Sequence, residues 1–320
     1  MGRRVWHGWL GLEIMAGAMV FSAAGVRPVR MIFYHLAWWG YILALDGFIQ
    51  ARRGNSLLVD RRGAFLTLAF ASAVFWFGWE LFNLRLHNWQ YLDVEPRLWL
   101  RWPLAALAFA TVLPGVLQTY EALDCLGRGW RWGKSVRPFP DGEQWIPWFL
   151  ALGAIMFLLP LIWPRLFFPL VWGAPVFLLE PLNYRLGAKS LVRAWQRGDL
   201  SPFLRLLTAG FITGLLWECW NFFSEPRWAY TLAYLNQPRL FAMPLAGYLG
   251  FPPFAVQCYV VAASLSLLRG GRGWESDDHQ RPSRPPLPGW LRGVLLAGGV
   301  AFMVLMLILI DRYLVVTWAN

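Results

Sequence analysis

Nine stretches of this 320-residue chain stay apolar over about the length a helix needs to cross ~30 Å of hydrocarbon. They cover residues 8–26, 31–50, 63–83, 102–125, 145–163, 166–182, 203–223, 241–268 and 290–310. Lipid offers no water to backbone amides, so each stretch must close its own hydrogen bonds as a helix. The expected fold class is therefore all-α, a polytopic membrane protein of about nine transmembrane helices. The charge content fits: 15% of residues are charged and 58% hydrophobic, whereas soluble domains are about 25% charged. The first stretch follows Arg3 and Arg4 and precedes Ser22-Ala23-Ala24, as a signal peptide would. Glu13 inside its apolar core, and a counterpart at 145–163, argue that it is retained.

The formal net charge is +11, and 27 of the 29 basic residues are arginine. They lie in short loops between apolar runs, which points to topology and anionic lipid headgroups and away from nucleic acid. The N-terminus and the loops after the second, fourth, sixth and eighth stretches carry 18 Lys and Arg. The alternate loops and the C-terminal tail carry 9. The positive-inside rule then places the N-terminus in the cytoplasm and the C-terminus outside. A bacterial cytoplasmic membrane is the expected location, with membrane lipids as partners. The Gly/Pro-rich loop 269–289 is expected to be flexible, and most of the 22 tryptophans are expected to be interfacial anchors. Cys125, Cys219 and Cys258 are far apart, as are His7, His35, His87 and His279. No disulfide framework or metal site is expected. Walker, GxGxxG, HExxH and GxSxG motifs are absent, so the sequence indicates no nucleotide and names no cofactor.

Polar and aromatic residues recur at a spacing of roughly 133–142 residues. Trp79-Glu80-Leu81-Phe82-Asn83 matches Trp217-Glu218-Cys219-Trp220-Asn221, and Trp89-Gln90-Tyr91 matches Trp228-Ala229-Tyr230. Arg97-Leu98, Pro103-Leu104-Ala105, Pro114 and Gln118-Thr119-Tyr120 match Arg239-Leu240, Pro244-Leu245-Ala246, Pro253 and Gln257-Cys258-Tyr259. Upstream, Trp39-Gly40 matches Trp172-Gly173 and Asp46 matches Glu180. Apolar bias does not generate such matches. The expected organisation is a first four-helix repeat over 1–135, a second over 136–268, the loop 269–289, and a terminal helix and tail over 290–320. Four crossings per unit make the copies parallel, as in some transporters.

In Trp-Glu-x-x-Asn the Glu and Asn share a helix face near its outer end. An ionisable residue at membrane depth is costly and suggests function. Glu80, Glu218, Asn83 and Asn221 are the candidate catalytic residues. Trp79, Trp217, Trp220, Trp89, Trp228, Tyr91, Tyr230, Gln118 and Gln257 are the candidate substrate contacts. An alternative has each Glu snorkelling to headgroups or pairing with Arg85 or Arg227, and each Asn capping its helix. A second polar layer comprises Glu13, Asp46, Glu180, Gln118, Tyr120, Gln257 and Tyr259. There Asp46 is open to pairing with Arg52 or Arg53, and Glu180 with Arg185. Pro114, Pro252 and Pro253 are expected to interrupt helices at membrane depth.

Leu178-Leu179-Glu180-Pro181, with Asp46, Glu80 and Glu218, resembles the lycopene cyclase-type membrane proteins of bacterial carotenoid biosynthesis. That family carries a Pro-x-Glu-Glu type motif, whereas here the Pro follows a single Glu. The resemblance implies a hydrophobic isoprenoid substrate and acid–base chemistry on intramembrane carboxylates. A proton- or cation-coupled carrier and a non-catalytic membrane subunit remain alternatives.

Overall fold

The computed structural model describes residues 5–127, 135–232, 234, 236–275, 285 and 287–316. Arg3, Arg4, His279 and residues 276–284 and 286 of the loop expected to be flexible lie outside the described residues. The chain is mostly helical: α1 (Trp6–Ala23), α2 (Arg27–Arg53), α3 (Arg62–Leu86), α4 (Leu98–Phe109), α5 (Val112–Leu126), α6 (Gly142–Ile162), α7 (Pro164–Phe167), α8 (Ala174–Leu186), α9 (Leu191–Gln196), α10 (Ser201–Phe223), α11 (Phe251–Leu268) and α12 (Gly289–Tyr313). Among the described residues, seven helices are long and apolar enough to cross a membrane, counting α4–α5, α7–α8 and Leu245–Leu268 as one each. α1 and α10 fall outside that set. Arg205, Glu218 and Asn221, all buried, lower the apolar character of α10.

Proline sets the interruptions. α4 ends at Phe109, α5 begins at Val112, and Pro114 stands in the first turn of α5, where a missing N–H costs nothing. The expected single span 166–182 is instead α7, a 3-10 turn Phe168–Trp172 and α8, with Pro164, Pro169 and Pro175 each near the start of a segment. The expected span 241–268 is likewise divided. Strands β3 (Arg239–Leu240) and β4 (Met243–Pro244) and a 3-10 turn Leu245–Gly250 precede α11, which opens on Pro252 and Pro253.

Contacts sort the connections onto two ends. At one, β1 (Trp89–Leu92) pairs antiparallel with β2 (Arg227–Tyr230), with Trp89 opposite Tyr230 and Tyr91 opposite Trp228. The backbone after α12 joins this two-stranded sheet, because Tyr91 N donates to Leu314 O (2.8 Å) and Val316 N to Tyr91 O (2.9 Å). Glu225 N reaches Arg30 O (3.2 Å), and Arg85 Nε reaches Leu161 O (2.9 Å). At the other end Arg53 pairs with Glu121 and Asp124, Arg61 with Glu121, Arg205 with Asp124 and Lys189 with Glu275. This is the division that the Lys and Arg count draws between alternate loops.

One expectation needs correction. Loop 269–289 does not leave the bundle at once. Trp274 is buried under Tyr120 and Tyr259, and its carbonyl accepts from Arg61. The tryptophans divide into two sets: Trp6, Trp9, Trp99, Trp145, Trp148, Trp163, Trp195 and Trp290 are exposed, whereas Trp38, Trp79, Trp89, Trp217, Trp220 and Trp274 are buried. Lipid tails are as apolar as leucine, so burial alone gives little drive to join helices, and interlocked rings supply contact instead. Trp38 shows the mode, edge-on to Trp220 at 4.6 Å and to Trp217 at 5.8 Å.

α1 lies against α2 through glycine. A Cβ on Gly11 would stand 2.4 Å from Gly40 O, and one on Gly47 2.4 Å from Gly8 Cα. Gly47→Ala should therefore lower the melting temperature in detergent, with a cost of about 1–3 kcal/mol. Gly78→Ala, where the added carbon meets nothing within 4 Å, should raise stability by about 0.5–1 kcal/mol. Equal melting temperatures for the two variants would contradict this packing.

Candidate functional site

The last turns of α3 and α10 each bring a Glu and an Asn to one inward face. Asn83 is fully buried. Its Nδ2 donates to Trp89 O (2.8 Å), and its Oδ1 accepts from Asn88 N (2.9 Å) and Trp89 N (3.3 Å). Asn221 does the same for β2, donating to Trp228 O (3.1 Å) and accepting from Trp228 N (2.9 Å). An amide offers both a donor and an acceptor, which the first residue of an unpaired strand edge requires. The two asparagines are thus clamps on the β1–β2 pair. The left-handed residue that ends α3 is His87 (φ 51°).

Both glutamates are fully buried. Glu80 is surrounded by donors. Its Oε1 accepts from Trp76 Nε1 (2.9 Å), Trp89 Nε1 (3.1 Å) and Tyr91 Oη (2.5 Å), and its Oε2 from Trp89 Nε1 (3.2 Å). Glu218 has a thinner shell. Tyr230 Oη donates to Oε1 (2.6 Å), Trp228 Nε1 donates to that phenol oxygen (2.8 Å), and Oε2 has no hydrogen-bond partner among the described residues. The difference traces to single positions. Trp76 lies one helical turn before Glu80, whereas the matching position before Glu218 is Gly214. A Cβ there would stand 2.3 Å from the Phe251 ring. Trp89 bonds the carboxylate itself; Trp228 bonds its tyrosine. Burial, then the adjacent carboxylate, pushes the phenols of Tyr91 and Tyr230 well above their ordinary range, so both remain donors at neutral pH.

Pairing with loop arginines does not occur. Arg85 caps the carbonyls of Leu161 and Ile162, and Arg227 lies 3.6 Å from Asp93. The carboxylates point inward to indole N–H and phenol groups, while the guanidinium groups stay at the wet interface.

A cavity of about 230 Å³ lies under the β1–β2 pair, among α2, α3, α4, α10, α11 and α12. Trp76, Trp89, Trp172, Trp217 and Trp228 form much of its wall, and Tyr91 and Tyr230 both face it. Glu80 and Glu218 stand behind those tyrosines and do not line it. Its charged edge includes an Arg101–Asp311 pair at 3.1 Å and Glu95. Hydrogen bonds from Arg97 hold the Glu95 carboxyl below the usual range.

The other candidate contacts lie elsewhere. Trp79 and Trp220 are core residues beyond the cavity wall. Gln118 donates to Asp46 (3.2 Å). Gln257, with its amide turned to satisfy its neighbours, donates to Trp172 O (2.9 Å) and accepts from Trp79 Nε1 (3.2 Å). The second polar layer holds loops in place. Asp46 accepts from Ser56 Oγ (2.7 Å) and Leu58 N (2.9 Å) and lies 3.0 Å from His7 Nε2; Glu180 accepts from Ser190 Oγ (2.6 Å) and Val192 N (2.9 Å). Neither uses the expected arginines. Arg53 goes to Glu121 and Asp124, and Arg185 to Glu143. Glu13 is on the exposed face of α1, outside this layer.

Sequence reasoning missed Tyr34, His35, Trp76 and Phe254 on the cavity wall. The i, i+4 spacing of Trp76 and Glu80 was a usable signal; for Tyr34 and His35 there was none, because their partners are distant in the chain. No family model, curated protein or solved structure matches this chain.

Asn83→Ala should speed amide hydrogen exchange at Asn88 and Trp89 by about 5- to 150-fold while α3 remains protected, since one lost clamp is worth about 1–3 kcal/mol. Exchange unchanged at both amides would refute the clamp.

Proposed function

We propose that this chain is an integral membrane enzyme that takes a lipid or isoprenoid into the aromatic cavity and acts on it by proton transfer. The observation that carries this reading is the convergence of two buried Glu–Tyr pairs on one cavity walled by indole rings. The chemistry follows from the inequality of the pairs. Glu80, saturated with donors, is a fixed acceptor. Glu218, with one donor and a bare oxygen, is the carboxyl suited to carry a proton. With Glu218 protonated and its O–H turned to the phenol, Tyr230 Oη gives its proton to the substrate as Glu218 supplies one to the phenol; loss of a proton from the substrate cation back to Tyr230, and from it to Glu218, restores both groups. Positive charge developing on the substrate faces Trp76, Trp217 and Trp228, whose ring faces stabilise cations. The lycopene cyclase-type resemblance agrees with this class of substrate and chemistry. It does not bring Glu180 into the cavity.

Glu218→Gln and Tyr230→Phe should each reduce turnover by about 10²–10⁴-fold, the usual worth of a general acid. The readout is a chromatographic profile of lipids and pigments from expressing cells. An unchanged profile at normal protein levels would eliminate the enzyme.

A carrier is the second reading, favoured by where the helices break. The α4–α5 junction and the start of α11 both border the cavity, through Phe109, Val112, Gly250 and Phe251. Proton-dependent solute uptake in proteoliposomes would support it over the enzyme.

We further infer nine crossings, with 1–135 and 136–268 as parallel copies of one unit in a bacterial cytoplasmic membrane. The equivalent roles of Asn83 and Asn221, and the matching Glu–Tyr pairs, support the duplication. An alkaline phosphatase fused after Asn320 should be active and a fluorescent protein there dark; the opposite pattern would invert the topology.

A further inference from the structure

The charged end of the bundle encloses a second cavity, of about 1060 Å³, between the ends of α2, α5, α8, α9, α10 and α11. Six basic side chains line it, Arg53, Arg185, Lys189, Arg193, Arg197 and Arg205, against three acidic ones, Glu121, Asp124 and Glu275. The acids are already shared. Asp124 serves Arg53 and Arg205, and Glu121 serves Arg53 and Arg61. Positive-inside topology explains arginines in water-exposed loops. It does not explain an arginine drawn into the bundle. The Arg205 side chain is 10% exposed, its guanidinium lies 4.8 Å over the Tyr120 ring, and its Nε has no acceptor among the described residues. Such a group is stable only with compensating negative charge. Arg185 and Arg197 are exposed.

We propose that this cavity is a binding site for a phosphate-bearing anion, supplied as an anionic phospholipid headgroup or as a soluble phosphate ester. The planar guanidinium fork matches phosphate oxygens two at a time. Arg205 would bind from the floor and Arg185 and Arg197 from the mouth. The buried rings of Tyr259 and Trp274 form part of the cavity wall. The site is at the opposite end from the aromatic cavity, and it stands or falls independently of the proposed enzyme.

The full chain purified in an uncharged detergent tests it with two probes. Inorganic pyrophosphate is titrated calorimetrically, and phosphatidylglycerol retention is compared with phosphatidylcholine by native mass spectrometry. Arg185→Ala/Arg197→Ala alters exposed residues and should leave folding intact; Arg205→Lys keeps the charge near Asp124 but removes the fork. Saturable pyrophosphate binding that weakens about tenfold or more in both variants establishes a soluble phosphate ligand. Selective phosphatidylglycerol retention, lost in both variants, establishes a headgroup. The proposal is overturned if wild type binds neither probe selectively, or if the variants bind as wild type does.

Discussion

A carboxylate enclosed among tryptophan rings must be given hydrogen-bond donors, because lipid supplies none and burial unpaired is costly. That requirement shapes the end of the molecule that carries β1 and β2. Glu80 draws Trp76 from its own helix and Trp89 and Tyr91 from the strand that follows. To deliver those two, the chain after α3 must turn back at a defined angle, and Asn83 fixes the angle by holding both backbone groups of Trp89. β1 so placed pairs with β2, which Asn221 holds in the same manner. The roof of the aromatic cavity is therefore a product of satisfying two buried acids.

The same logic makes the two acids chemically unequal. Where α3 has Trp76, α10 has Gly214, and the space goes to Phe251. One indole donor is lost with Trp76, and because Trp228 bonds the Tyr230 hydroxyl where Trp89 bonds the Glu80 carboxylate, Glu218 Oε2 has no partner among the described residues. Divergence at two positions is enough to give the two Glu–Tyr pairs unequal hydrogen-bond shells.

Much of the architecture was legible in the sequence. The apolar runs locate the helices because a backbone in lipid has no other solution, and the Arg distribution sorted the connections onto the two ends that the contacts define. Pro114 and Pro253 marked real interruptions. The Trp-Glu-x-x-Asn segments led to the site because their polar and aromatic residues stand out against an apolar background. What the sequence could not supply was direction. Trp79 and Trp89 read alike in the chain, yet one is core and the other faces the cavity. Gln118 and Gln257 looked like substrate contacts and instead satisfy groups inside the bundle. The loop arginines beside Glu80 and Glu218 looked like their partners, since proximity in sequence is visible and the inward turn of a side chain is not. Tyr34, His35 and Asp311 reach the cavity from distant helices, and no local pattern could have named them.

The backbone of Tyr91 is fixed on both sides by the segment after α12, through Leu314 and Val316. A residue of the first third of the chain is thus locked by the last ones described. During synthesis, helices enter the membrane in order, and α3 with its acid is in place long before α12 emerges. Until then Tyr91 lacks its backbone restraint, and the wall it forms is incomplete. The cavity wall is thus closed last, although its Glu80–Tyr91 pair is made early.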